Sequence, residues 1–174
     1  MIETQNACYL SFRQEKRMEG IVIAHNFFLS HIKLRHNMER IKIPVIPKIL
    51  FWFDRFIFSC DIPNKVIIGE DVVFPHYGLG CIFHERTVIG NHCRIYQHVT
   101  IGCRNGIGPP IIGDYVLIGA GAILLGAIKI GNNVCIGAGA VVVHDIPDNC
   151  TVVGNPASII KTNKEFLGSP NEPK

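Results

Sequence analysis

Between about residues 60 and 160 a bulky apolar side chain returns at every sixth position. Ile112, Ile118, Leu124, Ile130, Ile136 and Val142 form one unbroken register, Ile89, Ile95 and Ile101 a second, and Ile68 and Phe74 a third. Seven of the eleven are followed by glycine, at 69, 90, 102, 113, 119, 131 and 137. Four residues after most of them stands a small or branched side chain: Cys93, Val99, Val116, Ala122, Ile128, Val134, Ala140 and Ile146. A period of six fits neither the 3.6 of a helix nor simple strand alternation. It fits short flat strands joined by tight turns that wind into a three-sided prism, three hexads to a coil. The register side chains then point inward and stack on their equivalents about 4.8 Å away in the next coil. The glycine after each is expected to supply corner backbone geometry that a Cβ would oppose. The pattern predicts a mainly β chain, a parallel β-helix.

The register slips twice. From Phe74 to Ile89 is fifteen residues, and from Ile101 to Ile112 is eleven. In a repeat protein such slips are where loops leave the prism, and loops on one face are the usual place for binding. The first slip holds Pro75-His76-Tyr77-Gly78-Leu79-Gly80, the second Cys103-Arg104-Asn105-Gly106-Ile107-Gly108-Pro109-Pro110.

Outside the repeat the pattern changes. Residues 1–58 mix charges with apolar positions such as Ile21, Ala24, Phe28 and Ile32 near a helical period, which predicts two or three helices. Pro44 and Pro47 mark an interruption between them, since proline lacks an N–H and restricts its predecessor. The expected organisation is a helical region over 1–58, a β-helix over 59–162 and a polar tail over 163–174. The aromatic run from Ile49 to Phe58 is far shorter than the roughly 20 apolar residues that span a bilayer, and Asp54-Arg55 interrupts it. It is expected to pack on the fold or a second subunit, the sharper alternative being interfacial contact beside a lipid-linked substrate.

Composition narrows the classes. With 17 Lys+Arg against 14 Asp+Glu in 174 residues, the chain lacks the basic excess of a nucleic-acid binder, and 48% apolar residues exclude global disorder. Seven cysteines without a CxxC pair point to reduced thiols in a cytoplasmic protein and against a disulfide framework or zinc ribbon.

The hexads, together with Gly-Ala-Gly-Ala at 119–122, Ile-Gly-Ala-Gly-Ala at 136–140 and Val-Gly-Asn-Pro-Ala at 153–157, resemble the left-handed β-helix acyltransferases over about 100 residues. Asp61, Ile68-Gly69, His76, Glu85, Val88-Ile89-Gly90 and Gln97-His98-Val99-Thr100-Ile101-Gly102 are similar to the serine acetyltransferase branch. That resemblance implies transfer of acetyl from acetyl-CoA to a hydroxyl by a homotrimer with active sites between neighbouring prisms. It also makes His76 the general base, a task that imidazole suits because an alcohol's pKa lies far above 7. Asp61, fifteen residues earlier, is its implied orienting partner, on a nearby corner if a coil takes eighteen residues. Glu85, His98 and Arg104 are candidates to touch acceptor. Gly102, Ala120 and Ala138, counted to matching corners of successive coils, are candidates to line the pantetheine arm. Lys161 is a candidate for CoA phosphate, although the arginine that follows the family's Pro-Ala is here Ser158. His84, His92 and His98 raise a zinc site as an alternative, but His92 and His98, six apart, fall on neighbouring corners, and no metal is expected.

The departures bear on the acceptor. The branch holds an amino acid's ammonium and carboxylate with an Asp before the catalytic His and an Arg-His pair in the second loop. Here those positions are Pro75, Gly108 and Pro109. A desolvated zwitterion needs charge partners, so the expected acceptor is a saccharide of exopolysaccharide, capsule or O-antigen type, with possible peripheral contact to a membrane-linked glycan. Serine O-acetylation is the alternative, and a non-catalytic β-helix the third reading.

Overall fold

The computed structural model describes residues 30–35, 37, 38, 41 and 45–162. The apolar period at Ile21, Ala24 and Phe28, the break at Pro44 and the tail 163–174 lie outside the described residues.

Among the described residues, thirteen short strands follow two helical pieces. Residues 30–35 are helical (α1), and α2 spans Ile46–Ile57, with Pro47 in its first turn where a missing N–H costs nothing. The strands build three parallel sheets that form the faces of a prism. Face B stacks β1 (Ile67–Ile68), β3 (Val88–Ile89), β6 (Ile111–Ile112) and β9 (Lys129–Ile130). Face C stacks β4 (Arg94–Ile95), β7 (Leu117–Ile118), β10 (Cys135–Ile136) and β12 (Cys150–Val153), and β13 (Ser158–Thr162) closes it antiparallel. Face A stacks β2 (Ile82–Phe83), β5 (Thr100–Gly102), β8 (Ile123–Leu125) and β11 (Val141–Val142). Each coil runs A to B to C. The strands β1 to β11 are two or three residues long because each must turn again within six.

The core is the register. Ile89, Ile95, Ile101, Ile112, Ile118, Leu124, Ile130, Ile136 and Val142 are all 3% exposed or less, and their coil-mates sit directly above, as in Ile89 on Ile112 on Ile130. The eight positions four residues further on are also buried. Phe83 and Ile62 belong to the register too, each buried and six residues before Ile89 and Ile68 respectively. The first slip is therefore nine residues from Phe74 to Phe83 in place of six, so the chain inserts three residues at the corner between faces C and A. The second takes eleven residues from Ile101 to Ile112, five more than a hexad, at the corner between A and B.

The glycines after the register work differently from the expectation. None of Gly69, Gly90, Gly113, Gly119, Gly131 or Gly137 has positive φ; the coil above passes too close for a side chain. A Cβ on Gly119 would lie 2.5 Å from the Ala138 nitrogen. Gly119→Ala is expected to destabilise the fold by about 1–3 kcal/mol, the range for overpacking, read from chemical denaturation; an unchanged midpoint would contradict this close-approach explanation.

The residue after three of these glycines, Asn91, Asp114 and Asn132, carries a second device. Asn91 Oδ1 accepts from the Glu70 N–H, Asp114 Oδ1 from Asn91, Asn132 Oδ1 from Asp114 and Asp148 Oδ1 from Asn132, all at 2.7–2.9 Å. This ladder satisfies corner N–H groups that the short strands leave unpaired.

The helices attach through charge. Asp54, 2% exposed on α2, takes Arg35 Nη1 at 2.6 Å and faces His31 Nδ1 at 3.0 Å. Arg35 also donates to the Ile62 carbonyl of the first coil and lies 5.3 Å from the Phe51 ring. The aromatic run accordingly turns Asp54 inward and leaves Trp52, Phe53 and Phe56 exposed. Among the described residues no helix is long and apolar enough to cross a membrane.

Candidate active site

The two insertions leave the prism at different corners. The C–A insertion forms a tight turn over Pro75–Gly78 in which His76 and Tyr77 both take left-handed backbone, at φ 61° and 56°. The Tyr77 N–H donates to the Phe74 carbonyl, the Leu79 N–H to His76 and the Gly80 N–H to Phe58, which together pin the turn against the entry to the first coil. The His76 side chain is exposed at the tip. One coil on, the His98 N–H donates to the Leu79 carbonyl at 2.8 Å, and the imidazole lies so flat on Gly80 that a Cβ there would meet Nδ1 at 2.1 Å. The structure thus packs His98 against the insertion that carries His76, at one corner. Neither could be brought there by local pattern alone, because the three inserted residues set the alignment.

Asp61 opens face A beside this corner. Its N–H donates to the Cys81 carbonyl, and its carbonyl accepts from Phe83. Its carboxylate takes Arg55 Nη1 of α2 at 2.7 Å. Residues 58–61 and 76–81 are neighbours, as the fifteen-residue spacing suggests, with the carboxylate engaged by α2.

The A–B corner carries Glu85, Arg86, Gly102 and Arg104. Glu85 is exposed and takes Lys65 Nζ at 2.9 Å, and that bond, with the ammonium's charge, holds its carboxyl below the usual value. The Arg104 stem lies along Gly126, one coil up. Gly102 does not share a corner with Ala120 and Ala138. It ends β5 on face A, where its coil-mate is Leu125, whereas Ala120 and Ala138 stack at the C–A corner, the Gly139 N–H donating to the Ala120 carbonyl. A step of eighteen fails to return Gly102 to its corner because the insertion at 103–110 adds five residues to that coil. Lys161 lies on β13 opposite Thr151, beyond the last parallel strand.

The remaining histidines are spread out. His92 stacks on Tyr115 at 4.7 Å at the B–C corner, and His84 Nδ1 accepts from the Arg86 N–H at 3.1 Å at the A–B corner. Among the described residues no three His, Cys, Asp or Glu side chains converge as metal ligands would. Burial pushes the thiols of Cys60 up to about 12 and of Cys81 and Cys93 up to about 11, so these three stay protonated and unreactive near neutral pH.

Residues 109–144 match the family model "Bacterial transferase hexapeptide (six repeats)". The chain is 38% identical over 131 residues to the serine acetyltransferase of Synechococcus elongatus, a match covering 74% of this chain and 53% of that one. It superposes on a crystal structure of Neisseria gonorrhoeae serine acetyltransferase in complex with serine with TM-score 0.69 and 36% identity, covering 75% of this chain and 54% of that one. A solved serine acetyltransferase in complex with CoA matches with TM-score 0.69 and 31% identity, over 76% of this chain and 55% of that one. The chain spans about half the length of these relatives.

Fold and repeat together place the chain among the left-handed β-helix proteins built from transferase hexapeptide repeats. Within that class the chain is serine acetyltransferase-like, in sequence and in structure. The expected saccharide acceptor is overturned by these comparisons, whose relatives in sequence and structure are serine acetyltransferases. Inferring a lost amino-acid site from Pro75, Gly108 and Pro109 assumed that charge must come from those sequence positions, although residues of neighbouring coils stack beside the same loops.

Proposed function

We propose that this chain transfers an acetyl group from acetyl-CoA to the hydroxyl of serine. The carrying observation is its likeness to serine acetyltransferases, 38% identity over 131 residues, a stretch long enough that it must include both corner loops. In this reading His76 Nε2 or Nδ1 takes the proton from the serine hydroxyl as the oxygen attacks the thioester carbonyl. The tetrahedral intermediate collapses, the C–S bond breaks, and the imidazolium returns the proton to the departing CoA sulfur. No acyl-enzyme is required, and the protonated thiols of Cys60, Cys81 and Cys93 offer no alternative nucleophile. Asp61 orients and stabilises the imidazolium once its carboxylate turns from Arg55. Ala120 and Ala138, with small side chains at the C–A corner, would let the pantetheine arm lie against the prism, and Lys161 on β13 is the cation assigned to a CoA phosphate.

Quaternary structure follows from the two corners. From His98 to Cys103 the chain crosses face A, five residues at about 3.3 Å each, so the corners stand roughly 16 Å apart within one chain. A small acceptor cannot span that gap. The site is completed when the A–B corner of one copy meets the C–A corner of another, and repeating that contact round a closed ring gives the homotrimer. The test is CoA release by purified protein with acetyl-CoA and L-serine, alongside sedimentation. Saturable turnover with KM in the usual range of about 1 μM–1 mM by a trimer supports the proposal; no serine-dependent release by an acetyl-CoA-binding trimer refutes it.

A further inference from the structure

Serine is a zwitterion, and its carboxylate must meet a cation when water leaves the site. The A–B corner has one positioned for this that neither the repeat pattern nor the second loop's own residues reveal. Arg86 sits in the turn 84–87, whose Arg86 and Thr87 N–H groups both bond back to His84. The His84 N–H donates to the Ile101 carbonyl, so this turn lies directly under the strand from which loop 103–110 departs. The Arg86 side chain reaches up into that loop: a Cβ on Gly108 would stand 4.0 Å from Arg86 Nη2 and 3.9 Å from the Ala127 Cβ. Gly108, at φ 36°, leaves that guanidinium uncovered.

The charges around it leave Arg86 available. The neighbouring Glu85 carboxylate is bonded to Lys65 at 2.9 Å and feels Arg86 only as a weaker, more distant charge. Among the described residues no carboxylate lies within ion-pair distance of Arg86 or of Arg104. Two guanidiniums therefore flank one loop without an acidic partner, and the planar fork of an arginine matches a carboxylate with two parallel hydrogen bonds. We infer that Arg86 holds the carboxylate of the acceptor and sets specificity for an amino acid over a neutral alcohol. This rests on the serine reading above. It also explains how the chain accepts an amino acid with glycine and proline at 108 and 109: the cation arrives from the coil below, through space that glycine leaves open.

The experiment compares L-serine with L-serinamide, which lacks the carboxylate, in wild type, Arg86→Gln and Arg86→Lys. A charge-assisted hydrogen bond corresponds to about 10- to 100-fold. Wild type is expected to prefer serine by about that factor in kcat/KM. Arg86→Gln is expected to lose the preference by raising the KM for serine, with KM for acetyl-CoA unchanged, and Arg86→Lys to recover part of it. Arg86 is exposed, so the thermal transition should not move. Unaltered discrimination in Arg86→Gln overturns the assignment while leaving serine as acceptor. A raised KM for acetyl-CoA alone overturns it in favour of a CoA phosphate. Absence of serine turnover in wild type sinks the acceptor reading, and this assignment with it.

Discussion

Replacing His76 by alanine lowers serine acetylation by at least about 10²-fold, the lower end of what a positioned base supplies, and leaves the thermal transition nearly in place. The imidazole is exposed at the tip of the 75–78 turn, so no packing is lost with it. Backbone strain is the one structural term, because φ is 61°; histidine already carries most of that cost, so alanine adds only a small increment. His76→Asn removes that term, since asparagine enters this region readily, and it should be as inactive as His76→Ala. Both variants should keep wild-type affinity for acetyl-CoA by calorimetry. Asp61→Asn should cost less than either, because it removes orientation and leaves the base. Near-wild-type turnover in His76→Asn would take His76 out of the mechanism.

Asp54→Ala is expected to cost about 3–5 kcal/mol, the range for breaking a buried ion pair from one side. The loss leaves the Arg35 guanidinium, 1% exposed, without its carboxylate. Burial pushes the Asp54 carboxyl up from its ordinary value, against the pull of Arg35 and His31, so the carboxylate depends on these partners to stay charged. Arg35→Met with Asp54→Leu removes both charges and should recover most of the loss, since apolar residues of similar volume replace such pairs at little cost. Trp52, the chain's one tryptophan, lies on α2 and reports undocking of the helix by fluorescence during urea unfolding. An Asp54→Ala midpoint within about 0.5 kcal/mol of wild type would show that the ion pair does not hold the helices to the first coil.

The prism was legible in the sequence for a simple reason. Each hexad repeats the same local problem, one side chain inward and one tight turn, so a core spread over five coils is written as a one-dimensional period. Ile118 and its equivalents needed no long-range information to be placed inside. Both corner loops were visible as breaks in that period, and His76 stood out because it occupies one of them. The pattern also carried signals that went unread: Phe83 and Ile62 in register, and the Asn or Asp one residue after the corner glycines that ties successive coils together.

What the sequence could not fix was which residues share a corner. Counting by eighteen places Gly102 with Ala120 and Ala138, but five inserted residues move it to another edge of the prism. Arg86 carries no motif, and only the stacking of the 84–87 turn beneath loop 103–110 brings its guanidinium to Gly108. Asp54, in the most aromatic stretch of the chain, reads as an interruption until the fold shows it buried against Arg35 and His31. Sequence determines the period, because inward and outward are decided locally at every sixth residue. Charge partners are decided by stacking between coils, where neighbours in space lie about twenty residues apart and a single insertion resets the match.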